Sequence, residues 1–313
     1  MRAILVKRFG PAEVMEAGEV AVPEPGEGEI LVRVLAAGVG AWDVELRRGE
    51  WSGPLPYVPG AEFAGLVVGD TGADAGFDDG TLVYGWPGLG GCYAEYVTCD
   101  VERLAPIPDG LSVTEAAAAP VDAVTAEHGI VEILGVGAGD RVLITDAAGG
   151  LGRFALQIAR ALGAVVVATA HPRDHEMMHK LGAAVVIDQT APNWPDQARE
   201  ELDGGAERVL ACTAASLAGA AAAARDGAVI ATPVRGELPD AGRVTWQHYQ
   251  ARPSGTRLIR LAPWFGDGSL SVQLAAQYDL EDAPRAHQAV GQGNAAGEVV
   301  LVVDVDLAAE LGV

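Results

Sequence analysis

The residues whose types and spacing point most clearly to chemistry lie in a glycine-rich turn at 147–152. An apolar run at 141–145 precedes the turn and apolar residues at helical spacing follow it over 154–162, which predicts a strand, a turn and a helix in that order. Glycine at 149 lets the backbone approach a pyrophosphate, and Gly152 lets the helix pack closely on the strand. The predicted phosphate contacts are Ala148, Gly149, Gly150, Leu151 and Gly152.

The elements after this turn favour its interpretation as half of a dinucleotide-binding fold. Ala147 stands where the strict template has glycine, and a glycine-rich turn alone is a weak signal. A second apolar run at 164–170 follows the helix and completes the βαβ unit that the motif requires. The alternative is a glycine turn that only packs a helix on a sheet and binds nothing.

The rest of the chain predicts two kinds of architecture. Strands and helices alternate beyond residue 170, which predicts a parallel, doubly wound sheet. Ser112 and Glu115 form a capping box that opens a helix before this region, and a further helix is predicted over 121–134. The first hundred residues instead read as short strands between Pro- and Gly-rich turns, with one or two helical turns at 41–48. The fold class predicted is α/β, with a β-rich domain and a doubly wound domain.

Composition excludes several classes of function. The formal net charge of −22 at pH 7 repels nucleic acid and anionic membrane surfaces. No run is long and apolar enough to span a bilayer, and no signal-peptide pattern follows Met1, so we expect a cytoplasmic protein. The cysteines, Cys92, Cys99 and Cys212, form no CxxC pair and cannot build a thiolate zinc site by themselves.

Motifs distributed over almost the whole chain carry a family resemblance. They lie at 36–39, 43–49, 55–65, 91–96, 147–152, 180–183 and 278–283. In order and spacing they resemble the medium-chain dehydrogenase/reductase superfamily and, within it, the zinc-free quinone oxidoreductase (zeta-crystallin-like) branch, whose members carry alanine at the position of Ala147. The resemblance implies a GroES-like substrate domain at 1–118, a Rossmann nucleotide-binding domain at 119–254 and a return to the substrate domain at 255–313. It also implies a homodimer.

The same resemblance implies that the chain holds no metal. Zinc-dependent relatives carry a ligating cysteine and a ligating histidine where this chain has Gly40 and Ala61. Neither residue offers a side-chain donor, and a zinc site needs three protein ligands. The four-cysteine structural lobe of those relatives also has no counterpart after Cys92.

The end of the strand at 164–170 bears on which nicotinamide cofactor binds. A binder of NAD places Asp or Glu there to accept a hydrogen bond from the ribose, whereas this strand ends with Thr169, His171 and Arg173. Arg173, helped by His171, would pair with a 2′-phosphate, which favours NADPH. The alternative is that Arg173 is a solvated residue paired with Asp174.

Further cofactor contacts are implied by the resemblance. Thr125 resembles the threonine beside the nicotinamide, and the other positions follow predicted strands at the edge where ligands bind in open α/β sheets. They are Thr213, Ala214, Thr232, Pro233 and Val234. The alternative is that all of these are ordinary helix or loop residues.

The residues that would act on a substrate differ from those of the relatives. An Asn and a Tyr line the nicotinamide pocket there, and this chain has Gly40 and Glu45 at those positions. Glu45 would donate a proton if an apolar pocket raised its pKa, and is otherwise a surface glutamate. Tyr57 would donate a hydrogen bond to a substrate carbonyl, and otherwise packs in its Pro-rich loop.

The leading hypothesis is a zinc-independent reductase that transfers hydride from NADPH to an activated C=C bond, in an enone or enoyl thioester, or to a quinone. Such chemistry is supplied by the cofactor, so the protein must orient the substrate, exclude water and stabilise developing charge. The alternative, motivated by Gly40 and Glu45, is a non-catalytic NADP(H)-binding sensor or assembly protein with a degenerate substrate pocket. Small-molecule substrates, and neither nucleic acid nor membrane, are the expected partners.

Overall fold

A computed structural model describes residues 1–51, 53–69, 76–240, 242–293, 296–304 and 307. The chain divides into two compact units. The first comprises Met1–Val121 and Pro253–Val313, and the second comprises Asp122–Arg252. The fold class predicted from the sequence, a GroES-like β-rich domain with a Rossmann doubly wound domain, is confirmed.

The elements of the chain up to residue 121 are mostly short strands. They are β1 (Arg2–Val6), β2 (Met15–Glu19), β3 (Glu29–Val39), α1 (Ala41–Arg48), β4 (Phe63–Val68), β5 (Leu82–Gly85), β6 (Tyr96–Asp100), β7 (Leu104–Pro106) and α2 (Val113–Ala117). The capping box predicted for α2 is present, since the Ser112 amide donates to the Glu115 carboxylate at 2.9 Å and the Glu115 amide donates to the Ser112 hydroxyl at 3.3 Å.

The elements from residue 120 to the end then follow in chain order. They are α3 (Pro120–Glu127), β8 (Arg141–Thr145), α4 (Gly150–Ala161), β9 (Val165–Ala170), α5 (His175–Leu181), β10 (Val185–Asp188), α6 (Trp194–Glu201), β11 (Ala206–Ala211), α7 (Leu217–Ala223), β12 (Ala224–Thr232), β13 (Thr245–His248), α8 (Gly255–Gly266), β14 (Leu274–Asp279), α9 (Ala283–Gly291) and β15 (Glu298–Val302). A π-helical segment, His128–Ile133, continues α3, so the helix predicted over 121–134 changes its hydrogen-bond pattern midway.

The first unit is built around β3. Its sheet runs β14-β15-β3-β4-β5-β7, and β6 also pairs with β3. The first half of β3 alternates between buried and part-exposed residues, whereas its second half is buried throughout. Val32 and Val34 contribute to a core that includes Phe63 and Leu301, so apolar burial on β3 joins the first and last parts of this unit.

The second unit is a six-stranded parallel sheet in the order β10-β9-β8-β11-β12-β13. The chain proceeds outward from β8 to β10, returns to β11 on the other side of β8, and proceeds outward again. The order therefore reverses between β8 and β11, and ligands of open α/β sheets bind outside the carboxyl ends of the strands at such a switch point. Among the helices in the described ranges, none is both long and apolar enough to cross a membrane.

Candidate dinucleotide site

The start of α4 lies at the switch point. The strand β8 is buried between β9 and β11, and the turn after it leads into α4 at Gly150. Gly149 is the N-cap residue, with an extended backbone and no side chain to cap the helix. The first amides of a helix have no acceptor within it and carry a partial positive charge. This helix start therefore offers backbone donors to an anion.

The contact between α4 and the preceding turn explains why residue 152 is glycine. A Cβ atom added at Gly152 would lie 2.5 Å from the Ala147 Cα atom and 2.8 Å from its carbonyl carbon and oxygen. At Gly149, by contrast, an added Cβ atom would meet only the Asp146 carbonyl oxygen, at 3.5 Å. The fold itself thus requires glycine at 152 but not at 149.

Asp146 joins the carboxyl ends of three strands. Its backbone is left-handed, with φ of 50°, a conformation that aspartate adopts more readily than most residues. The Thr213 hydroxyl, after β11, donates to Asp146 Oδ2 at 2.6 Å, and the Asp146 amide donates to Thr169 Oγ1 on β9 at 3.0 Å. The Ala147 amide also donates to the Thr169 carbonyl at 2.8 Å. These bonds fix the shape of the turn before any ligand binds.

Sequence reasoning missed two further residues that hold this turn. Ser216 is buried; its hydroxyl lies 2.8 Å from Thr145 Oγ1 and donates to the Thr213 carbonyl at 3.0 Å. The Arg153 guanidinium, also buried, donates to the Ala148 carbonyl. An arginine one turn into the predicted helix was a signal for the second of these, whereas Ser216 gave none because its partner Thr145 is distant in sequence.

The residues predicted to select NADPH lie at the end of β9. The Arg173 side chain is 60% exposed, and its Nε atom lies 3.5 Å from Asp174 Oδ2. His171 Nδ1 accepts a hydrogen bond from the Arg173 amide at 3.3 Å, which fixes the turn that presents this arginine. The ion pair between Arg173 and Asp174, which the sequence offered as the alternative to phosphate binding, is therefore present. Its geometry is loose and leaves the Arg173 side chain exposed.

The other predicted cofactor contacts occupy the same edge of the sheet, with one exception. Thr169, Thr213 and Thr232 lie at or just after the ends of β9, β11 and β12, and the Thr232 hydroxyl accepts from the Val234 amide at 3.2 Å. Thr125 lies on α3 rather than at a strand end, and its carbonyl accepts from the Tyr249 hydroxyl at 3.1 Å. The roles of all of these residues in cofactor binding stay predictions.

In the first unit, the two positions that correspond to zinc ligands of relatives are occupied by residues without a side-chain donor. Gly40 is the N-cap of α1, and Ala61 is buried. Within the part of the chain that the structure describes, no group of three or more His, Cys, Asp or Glu side chains is placed to hold a metal ion. These two positions therefore offer no side-chain ligand to a metal ion.

The two residues predicted to act on substrate have different surroundings. The Glu45 carboxylate accepts a hydrogen bond from the indole of Trp51 at 3.1 Å. The Tyr57 hydroxyl is buried, and burial raises its pKa to about 12. Trp51 was a residue that sequence reasoning did not connect with Glu45. Both catalytic roles stay predictions.

Glu62 is a buried carboxylate whose role the sequence did not reveal. Its Oε2 atom accepts from the Val121 amide at 2.8 Å, in the first turn of α3, where negative charge is favourable. A Cβ atom added at Gly38 would lie 2.3 Å from Glu62 Oε1, so Gly38 leaves room for the carboxylate. Glu62, within the motif at 55–65, therefore has a structural role at the start of α3.

Comparisons with known proteins agree with this arrangement. The family model of the alcohol dehydrogenase GroES-like domain matches residues 26–109, and that of the zinc-binding dehydrogenase matches 181–301. The crystal structure of an NAD-dependent alcohol dehydrogenase is 33% identical, with a TM-score of 0.89, and the match covers 97% of this chain and 100% of that chain. The chain belongs to the medium-chain dehydrogenase/reductase superfamily. The mycobacterial protein Rv1454c, solved in complex with NADPH, is 28% identical, with a TM-score of 0.88 and coverage of 97% and 100%.

Curated relatives place this superfamily member beside the quinone oxidoreductases, as the sequence predicted. Human quinone oxidoreductase is 32% identical over 206 residues, which is 64% of this chain and 62% of that protein. The spectinabilin polyketide synthase system protein NorB of Streptomyces orinoci is 31% identical over 290 residues, which is 88% of this chain and 13% of that protein. The chain thus spans less than two thirds of the length of both relatives.

Proposed function

We propose that the protein is a zinc-independent reductase that transfers hydride from NADPH to an activated C=C bond, in an enone or enoyl thioester, or to a quinone. The observation that carries the proposal is the uncapped start of α4, held against Ala147 by Gly152 at the switch point of the parallel sheet. The likeness to quinone oxidoreductase and to a polyketide synthase protein supports the two classes of acceptor.

Each part of the second unit has a task in this proposal. The amides at the start of α4 bind the diphosphate, and the network of Asp146, Thr169 and Thr213 keeps the turn in the shape that this requires. Arg173 pairs with the 2′-phosphate. NADPH, when bound, supplies the hydride. In the first unit, Tyr57 orients the acceptor carbonyl and Glu45 holds a proton.

Two neighbours disagree about the cofactor. One is named as NAD-dependent, and the other was solved with NADPH. Local chemistry favours NADPH here, because the residues directly after β9 are His171, Pro172 and Arg173 rather than an acid that would accept from a ribose hydroxyl. Asp174 follows, but its carboxylate is turned toward the Arg173 guanidinium.

Turnover is tested by mixing the protein with NADPH and, in separate reactions, a quinone, an enone and a crotonyl thioester. Oxidation of NADPH by at least one acceptor, unchanged after treatment with a metal chelator, is expected. Loss of activity in chelator would contradict zinc independence. Binding of NADPH without reduction of any acceptor would instead support the non-catalytic alternative, which the replacement of pocket residues by Gly40 and Glu45 motivates.

Cofactor preference is tested by Arg173→Ala. The variant should bind NADPH at least about tenfold more weakly, because one charge-assisted contact is worth more than about 1.4 kcal/mol, and should bind NADH as before. Arg285→Ala is the matched control, since Arg285 is also exposed and paired with a neighbouring aspartate, Asp282, at 3.0 Å. Equal loss for both nucleotides would contradict the assignment. The cytoplasmic location, the homodimer and the domain boundaries at 118 and 254 stay predictions.

A further inference from the structure

A group of polar atoms without hydrogen-bond partners lies inside the first unit. They are Asp43 Oδ1 and Arg47 Nε on α1, the Tyr57 hydroxyl and His287 Nδ1 on α9; each is buried and has no partner among the described residues. Asp43, Arg47 and His287 are only 2%, 3% and 1% exposed. Buried polar groups in folded proteins are nearly always hydrogen-bonded, so four such atoms in one place call for a common explanation.

These four groups are neighbours in space. Helix α1 packs against α9, which places Arg47 near His287. Arg47 interacts electrostatically with Tyr57 and Tyr93, and Tyr57 interacts with Asp43. The Tyr93 hydroxyl lies 3.1 Å from His287 Nε2, which leaves Nδ1 as the unpartnered nitrogen of that ring. The four groups therefore lie in one region of the first unit, and we treat them as one cluster.

None of the four groups is satisfied by another. The Arg47 guanidinium and the Asp43 carboxylate are one helical turn apart yet form no ion pair, and no hydrogen bond joins Asp43 to Tyr57 or Arg47 to His287. Asp43 Oδ2 accepts from the Gly40 amide at 3.0 Å, and the backbone amides of Gly60 and Ala61 also face this carboxyl group and lower its pKa, but Oδ1 has no partner in good hydrogen-bond geometry.

The charges in the cluster restrict what can fill it. Arg47 disfavours a cation, and Asp43 disfavours an anion. Arg47 Nε and the Tyr57 hydroxyl need an acceptor, whereas Asp43 Oδ1 needs a donor, and His287 Nδ1 needs one or the other according to its tautomer. Water meets both needs because it donates and accepts, and buried waters typically form about three hydrogen bonds to groups that otherwise have no partner.

We propose that Asp43, Arg47, Tyr57 and His287 enclose an internal hydration site, occupied by one or two ordered waters that bridge α1, α9 and the loop carrying Tyr57. In this proposal a water links the Tyr57 hydroxyl to the Asp43 carboxyl group through one hydrogen bond to each. This inference concerns the first unit alone. It shares Tyr57 with the proposed function, but its tests locate waters and do not depend on turnover.

A high-resolution crystal structure of the full chain tests the proposal. Water density within about 3.2 Å of at least two of the four atoms is expected. A dry cluster, direct pairing of the four side chains with one another, or an anomalous signal showing a bound ion would each overturn it.

A pair of variants gives a second test. Tyr57→Phe should remove or displace a water, whereas the control Tyr84→Phe should leave the site unchanged, because the Tyr84 hydroxyl is bonded directly to the Leu258 carbonyl at 3.3 Å. Unchanged waters in Tyr57→Phe would exclude Tyr57 from the site. If that variant does not fold, relaxation dispersion of water ¹⁷O in the wild-type protein counts the long-lived internal waters, and a count of zero overturns the proposal.

Discussion

Replacing Gly152 by alanine should disturb both the stability of the fold and the binding of nucleotide. The added Cβ atom would lie 2.5 Å from the Ala147 Cα atom, whereas ordinary contacts of this kind begin near 3.4 Å. The start of α4 must therefore move away from Ala147 by about 0.9 Å. Overpacking of this kind costs about 1–3 kcal/mol. The better helix propensity of alanine returns at most about 1 kcal/mol, so a net loss of stability is expected.

The same movement should weaken the binding of a diphosphate by the amides at the start of α4. Displacing the first amides of α4 by about 0.9 Å lengthens hydrogen bonds of about 2.9 Å beyond the range in which they are effective. Loss of one charge-assisted bond of about 1.5–3 kcal/mol raises the Kd for NADPH by a factor of about 10–150. Urea denaturation measures the first effect, and calorimetric titration with NADPH measures the second.

Gly149→Ala is the matched control for this prediction. Its Cβ atom meets only the Asp146 carbonyl at 3.5 Å, and the φ angle of −71° suits alanine. The unfolding free energy should stay within about 0.5 kcal/mol of the wild-type value, while NADPH binding falls at least about tenfold because the methyl group occupies the space of the diphosphate. Wild-type stability in Gly152→Ala would refute the packing argument, and wild-type binding in Gly149→Ala would place the nucleotide elsewhere.

Three further predictions concern buried ionisable groups in the first unit. Burial raises the pKa of Asp43 from 3.8 to about 6, so ionising this carboxyl group lowers the stability of the fold by about 3 kcal/mol as pH rises from about 4 through 6. Asp43→Asn should remove this loss when urea denaturation is measured at several pH values. Parallel pH profiles for the variant and the wild type would contradict the prediction. Burial lowers the pKa of His287 from 6.5 to about 3, so its contribution to stability, up to about 5 kcal/mol, is lost as pH falls below 6.5. His287→Gln should abolish this loss of unfolding free energy in acid. An equal fall of the unfolding free energy with pH in both proteins would contradict the prediction. Glu62→Ala should cost about 1–3 kcal/mol of unfolding free energy, because the Val121 amide loses its acceptor. Glu62→Gln keeps an acceptor and should cost less than about 1 kcal/mol. Equal losses in the two variants would contradict the capping role.

The sequence predicts those elements of the fold that local patterns encode. The apolar run at 141–145 and the helical spacing at 154–162 are such patterns, and the structure has the strand β8 and the helix α4 at these positions. By contrast, no local pattern marks the point where α7 ends at Ala223, because β12 begins at the next residue and pairs with β11, which is distant in sequence. Thr245–His248 was not predicted as a strand, since most of its residues are exposed at the sheet edge and show no apolar alternation.

The candidate site was predictable to the same degree. The strands of a parallel sheet all end at the same edge, so the residues that follow them could be expected to lie together. The turn at 148–152, Thr213 and Thr232 do lie along one edge. The left-handed conformation of Asp146 and its bond from Thr213 join positions 67 residues apart, which no local pattern encodes. The hydrogen bond between Trp51 and Glu45 likewise becomes visible only when α1 and the loop after it are folded.

An acidic chain that binds an anionic dinucleotide presents an electrostatic difficulty that this architecture resolves. A net charge of −22 repels phosphate groups at long range, although salt screens that repulsion beyond about 8–10 Å. The amides at the start of α4 act only over the first turn, where their partial charge is equivalent to about half a proton charge. Binding of the diphosphate therefore depends on where a few backbone donors lie rather than on the net charge of the chain. For this reason the contact between Gly152 and Ala147, which sets the position of these donors, should influence affinity for the diphosphate more than the net charge does.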